Sequence, residues 1–174
     1  QLETEADDGV TTAWLAAQNG HVGVLEFLKR ECSVEILSAA DNEGTTPCYM
    51  AAQNGQIQAL KFLGGVLGKE GLLVLDEDKC SLAHAAAANN NVEILQYLVE
   101  QCSVSILQTL DYAGRTSCVY AAKEGHLDSL KYCAKQGGRG LLMQSCTNGT
   151  TVLHTCVDHK EVCTWVAQEG GWEM

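Results

Sequence analysis

No stretch of this 174-residue chain approaches the roughly 18 to 20 consecutive apolar residues that a helix needs to cross a bilayer, so direct membrane insertion is not expected. The opening QLETEADDG lacks the basic flank and apolar run of a signal peptide, and a soluble segment is the expectation. Cations are scarce as well: 11 Lys and Arg face 22 Asp and Glu, for a formal net charge of −11. Phosphate backbones are held by clustered Lys and Arg, and no such cluster stands in the sequence, so nucleic acid is not an expected partner. A partly basic protein is. The deficit is also uneven, with 13 acids and 5 bases in residues 1–87 against 9 and 6 in residues 88–174, which places the stronger negative field near the N-terminus.

What the chain has is a hydrophobic content of 46%, enough for a core, and a period of 35. Ala16, Ala51, Ala86, Ala121 and Cys156 lie 35 apart, as do Thr11, Thr46, Ser81, Thr116 and Thr151. Five units follow, at 6–40, 41–75, 76–110, 111–145 and a shortened 146–174, which together make a single domain over 1–174. The first unit opens almost at once and the chain begins on Gln, so the sequence reads as a piece of a longer protein.

Each column has a mechanical reading. A Thr or Ser hydroxyl accepts a backbone N–H at a helix N-cap, and the one proline, Pro47, sits right behind Thr46 at a first-turn position that tolerates it. Paired small residues, from Ala16-Ala17 to Cys156-Val157, let neighbouring helices approach. Gly20, Gly55, Asn90 and Gly125 are the residue types that most cheaply enter the left-handed conformation ending a helix. A second, amphipathic helix then carries Val24, Leu25, Phe27 and Leu28, or Ile94, Leu95, Tyr97 and Leu98. Its aromatic column, Phe27, Phe62, Tyr97, Tyr132 and Trp165, is expected to form a ladder of core rings. Gly9, Gly44, Gly114 and Gly149 mark hairpin tips between units, while Lys79 takes that place in the third, where a different turn is expected.

The strings TTPCYMAAQNG (45–55), CSLAHAAAANN (80–90), RTSCVYAAKEG (115–125) and TTVLHTC (150–156) resemble the ankyrin-repeat signature T-P-L-H-x-A-A-x-x-G-H, and DNEG (41–44) and DYAG (111–114) match its preceding D-x-x-G. The resemblance covers nearly the whole chain. It implies an all-α solenoid, each unit a hairpin tip and two antiparallel helices, curved around a concave groove. Two departures bear on stability and length. Trp14, Tyr49, His84, Val119 and His154 occupy the signature histidine column, so only two units can make the family's histidine hydrogen bonds. The residues beyond the usual 33 fall after the second helix, where the linkers alternate: ECSVEIL (31–37) recurs as QCSVSIL (101–107), and GKEGLLVL (68–75) is echoed by GGRGLLMQ (137–144).

Nine cysteines with no C-x-x-C pair read as small buried hydrophobes in a reducing compartment, and a cytoplasmic location is expected. The one metal candidate is His154, Cys156, His159 and Cys163. Two of its members stand two apart on a helix and point to different sides, and Cys156 falls in the small-residue column, so ordinary packing is the expected role. No Ser, His and Asp set stands outside the repeat, and GGVLG and GGRG lack the Lys-Ser/Thr of a phosphate loop. No enzyme, metal or cofactor is expected.

Residues that break the period at exposed positions are where specificity is stored. The groove that the resemblance implies selects Asp7, Asp8, Val10, Asn42, Glu43, Thr45, Glu77, Asp78, Tyr112 and Arg115 at the tips. The inner helices add Leu15, Gln18, Asn19, Met50, Gln53, Asn54, Asn89, Tyr120, Lys123 and Glu124. The expected function is a non-catalytic protein–protein interaction module, a scaffold or adaptor, binding a partly basic peptide or helix. Two alternatives stay open: a structural segment whose ends stack on further repeats, and a zinc-binding or regulatory domain of an enzyme.

Overall fold

The computed structural model describes residues 8–170. Five helix pairs run along it. The first is α1 (Thr12–Gln18) with α2 (Val22–Glu31), the second α3 (Pro47–Gln53) with α4 (Ile57–Leu72), the third α5 (Leu82–Ala88) with α6 (Val92–Cys102). The fourth pair, α7 (Ser117–Lys123) and α8 (Leu127–Gly137), is followed by a short α9 (Gly140–Met143), and α10 (Val152–Thr155) with α11 (Lys160–Gly170) ends the series. The described residues contain no strand. First helices stack on first helices (α1, α3, α5, α7, α10), and α2, α4, α6 and α8 form a second layer behind them.

The helix boundaries sit where the columns place them. Thr11 Oγ1 accepts the N–H of Trp14 and Thr46 Oγ1 that of Tyr49, both at 3.2 Å. Ser81 and Thr151 build capping boxes with His84 and His154. Gly20, Gly55, Asn90 and Gly125 all have positive φ, between 57° and 78°. At three of the four, the side chain of the next unit lies over the stop: a Cβ on Gly20, Gly55 or Gly125 would strike Gln56, Asn91 or His159. Glycine is thus favoured by its φ, and most firmly at Gly125, where the approaching group is the His159 ring.

The core is made of columns. Ala17, Ala52, Ala87 and Ala122 are fully buried between first helices, whose backbones come close because the side chains are methyl groups. Leu25, Leu60, Leu95 and Leu130 are each 0% exposed, and Leu28, Leu63, Leu98, Cys133 and Val166 are buried beside them. Each buried leucine contributes about 1.5–3 kcal/mol relative to exposure. These two columns leave no interior room for the aromatic one. Phe62, Tyr97, Tyr132 and Trp165 are half-buried on the rim and Phe27 is exposed, so the ring ladder edges the core instead of filling it. The reason is helical geometry: a residue two positions past a buried leucine is turned roughly 200° away from it. Val157 departs too, at 70% exposure, because α10 ends before reaching it.

The surplus residues after each second helix also enter the core. Short 3-10 turns at Val34–Leu37 and Val104–Gln108 alternate with helical pieces, the end of α4 beyond a kink at Gly68, and α9. All four insert a buried leucine at the same register, Leu37, Leu72, Leu107 and Leu142. The 35-residue period therefore encodes one additional apolar plug per unit.

Candidate functional site

The tips of the second, third and fourth units are turns closed by an acidic side chain. Asp41 Oδ1 accepts the backbone N–H of Glu43 (3.0 Å) and Thr45 (2.8 Å), Asp76 Oδ1 that of Cys80 (2.7 Å), and Asp111 Oδ1 those of Ala113 (2.9 Å) and Arg115 (2.8 Å). Cys146 stands in this column in the fifth unit, where Asn148 Oδ1 takes over by accepting from Thr150 N at 3.0 Å. Neighbouring tips are laced by one backbone bond each: Asn42 N to Asp8 O, Glu77 N to Glu43 O, Tyr112 N to Asp78 O and Thr147 N to Ala113 O. Lys79 does not change the turn. It adopts φ 61°, close to the glycines at 74–80° in the other tips. The Asp76–Cys80 bonds hold it there, and its ammonium lies 4.7 Å from the centre of the Tyr112 ring.

Of the residues selected from the sequence, Asp7 lies outside the described residues. Leu15 is 48% and Tyr112 64% exposed, and Asp8, Asn42, Glu43, Gln53, Glu77, Asp78, Lys123 and Glu124 are exposed with them. Val10, Gln18, Arg115 and Tyr120 are half-buried. Thr45 and Met50 are buried and offer a partner little surface, since Met50 lies in the packed first-helix layer and Thr45 closes the Asp41 turn. Asn19, Asn54 and Asn89 are exposed but already committed: each donates its side-chain amide to the carbonyl four residues back, Leu15, Met50 and Ala85, at 2.8–3.0 Å. The tips of the second and third units bring Glu43, Thr45, Asp76, Glu77 and Asp78 around a concavity of about 220 Å³. Burial raises the pKa of Asp76 above the ordinary carboxylate value, against hydrogen bonds that act to lower it.

Behind this rim the third and fourth units share a polar network that sequence reading did not assemble. Asp111, whose side chain is 1% exposed, accepts from Arg115 Nε (2.6 Å) and from the Tyr120 hydroxyl (2.9 Å) through Oδ2. Burial pushes its pKa up, but the bonds from Arg115 and Tyr120 outweigh that and hold it low. The Tyr120 hydroxyl also lies 3.1 Å from Cys80 Sγ, and its ring meets His84 edge-on at 5.1 Å. His84 is fully buried. Its Nδ1 accepts from Ser81 N (3.0 Å), and its Nε2 lies 3.0 Å from the Arg115 carbonyl, which it reaches as a donor. Burial holds the His84 pKa below its ordinary value, so the ring is neutral. Arg115 and Tyr120 are thereby tied into this network, whereas Tyr112 is exposed. The available signal was the single recurrence of histidine beside an Asp column, which gave no distance.

A second set of inter-unit links follows the helix stops. Gln56 Nε2 donates to Gln18 O (3.2 Å), Asn91 Nδ2 to Ala52 O (2.9 Å) and Gln53 O (3.0 Å), and His159 Nε2 bonds Lys123 O (2.9 Å). His159 is thus the fifth unit's version of Gln56 and Asn91 once the two-residue shortening is allowed for. His154 is exposed and turned onto Thr151, while the Cys156 and Cys163 thiols lie 2.9 Å from each other. Of the four residues in the metal candidate, the two imidazoles are committed to separate backbone sites. Among the described residues no helix is long and apolar enough to cross a membrane.

A family model for ankyrin repeats matches the chain in three copies, over residues 1–71, 66–139 and 82–172. No curated protein matches it.

Proposed function

The chain belongs to the ankyrin-repeat family, whose members are generally protein–protein interaction modules, and from that footing we propose a non-catalytic scaffold or adaptor of the cytoplasm that binds a partly basic segment along its tips. The domain comprises the five units beginning at residues 6, 41, 76, 111 and 146. One observation carries the reading: the concavity rimmed by Glu43, Asp76, Glu77 and Asp78, next to which Lys79 is drawn over Tyr112. A Lys or Arg of the partner enters that rim, and an apolar or acidic side chain further along the partner meets exposed Tyr112 of the fourth unit. With helix layers 8–10 Å apart, five units span about 40 Å, which an extended peptide of about 12 residues covers.

The test is Glu43→Lys, Glu77→Lys and Asp78→Lys together, titrated against a fluorescein-labelled Lys- and Arg-rich peptide of about 12 residues. Association slows by about tenfold or more and its salt dependence flattens. Unchanged association removes the reading.

A second reading, end-to-end stacking on further repeats, is favoured by Val24. Its equivalents Ala59, Ile94, Ser129 and Val162 are at most 1% exposed, whereas Val24 is 38% exposed beside Phe27 at 40% and Val34 at 42%.

A further inference from the structure

The outer layer does not close evenly. α2 packs beside α4, α4 beside α6 and α6 beside α8, but α11 leans chiefly on α9 and α10. The cause lies in the last unit. α10 has four residues where its counterparts have seven, two residues are missing ahead of α11, and α11 does not pack along α8 as α8 packs along α6. A cleft opens between them. Its two cavities, about 510 and 360 Å³, meet at Lys131 and Trp165.

We infer that this cleft is a second binding surface, one that takes an acidic peptide segment carrying an apolar side chain. Lys131, Lys135, Arg139 and Lys160 line it and are all exposed. Arg30, Lys61, Arg115 and Lys123 each stand within ion-pair distance of a carboxylate; among the described residues the four cleft cations, like Lys29, Lys69 and Lys79, do not. These four therefore form a positive patch in a chain of net charge −11. Lys131, Lys135 and Arg139 stand within nine residues of one another, and the fold adds Lys160, 21 residues beyond Arg139. Trp165 lies half-buried in both cavities, with Leu127 and Ala134 at its sides, and supplies a flat apolar seat.

The chemistry selects a peptide over other anions. Glu161 and Glu169 interrupt the patch, so a continuous phosphate backbone or an anionic bilayer would face carboxylates as well as ammonium groups. A peptide places single carboxylates on single cations. Lys131 and Lys135 lie one helical turn apart, which matches acids at i and i+4 of a helix.

The test uses a peptide of about 12 residues, rich in Asp and Glu with one central Leu, followed by chemical-shift mapping on the whole chain. The Trp165 indole and residues of α8 and α11 shift. Lys131→Glu with Lys135→Glu weakens binding about tenfold or more, Lys61→Glu on α4 leaves it unchanged, and the paired variant keeps its melting temperature because both lysines are exposed. Trp165→Phe, which keeps a ring, retains binding. Four outcomes overturn the inference: no shifts at about 1 mM peptide, shifts at the tips instead, indifference to the lysine reversals, or tighter binding of oligothymidine or phosphatidylserine vesicles than of the peptide. The tip variant Glu43→Lys, Glu77→Lys and Asp78→Lys still binds the acidic peptide, which separates this result from that for the tip surface.

Discussion

At the junction of the third and fourth units, His84 runs from the cap of its own helix to the Arg115 carbonyl of the next tip and is fully buried there. In the fifth unit His154 fills the same column, makes the same bonds to Thr151, and ends in solvent. One residue type at one register thus does two jobs, and the neighbour decides which. The outer layer repeats the lesson. α6 and α8 pack side by side, whereas α8 and α11 stand apart around Trp165 because two residues are missing from the last turn. A solenoid's seams are additive interface terms, so a short terminal unit loosens one seam without disturbing the others.

The sharpest way to break this comparison is to remove both histidines in turn. His84→Ala leaves the Ser81 N–H and the Arg115 carbonyl unpaired beside a cavity and lowers the unfolding free energy by about 3 kcal/mol in urea denaturation. His154→Ala costs less than about 1 kcal/mol. Equal losses would mean that the bond across the seam contributes nothing.

Next in size is Gly125→Ala. It forces a methyl group onto the His159 ring at φ 78°, loosening the link to Lys123, and destabilises by about 2 kcal/mol. Gly65→Ala, inside α4 with open space around it, stabilises by about 0.5–1 kcal/mol in the same urea denaturation.

The seam also carries a pH signature. The folded His84 pKa lies below the unfolded one, so on acidification the unfolded chain takes up a proton that the folded chain refuses. Stability is complete above the ordinary histidine value of about 6.5 and falls as pH drops from 7 toward 5. The loss attributable to His84 is at most about 1.4 kcal/mol per pH unit, and in His84→Ala that contribution to the slope disappears.

A further test concerns a backbone difference between two copies of one string. Ser33 and Ser103 both sit in Cys-Ser-Val, yet Ser33 has φ −85° and Ser103 φ 81° with ψ 167°, a region that strains any side chain. Ser103→Gly raises stability by about 1 kcal/mol and Ser33→Gly does not. The difference goes with burial: Cys102 is 1% exposed and extends α6 by a residue, while Cys32, in the first unit, is only half-buried and lies just past the end of α2.

The helix caps, the helix stops and the leucine columns were legible in the sequence because each rests on contacts within a few residues, repeated at one spacing. Lys79 was misjudged since its column suggested a missing glycine, whereas Asp76 and Tyr112 together hold the lysine in the glycine conformation. The candidate surface was legible by position but not by state. Sequence reading placed Tyr112 and Tyr120 alike; the fold leaves the first exposed and binds the second to Asp111 and Cys80.

The sequence alone determined the architecture: a 35-residue period of caps, small residues and leucines can bury its apolar faces only by stacking copies, and that requirement is local. Tertiary structure decided which side chains remained free. Charges and rings far apart in the chain become one surface or one buried network according to how adjacent units sit, and a two-residue change in the last turn moves a whole helix without altering any motif. Packing distances across a seam, unlike spacings along a chain, are not written in any single repeat.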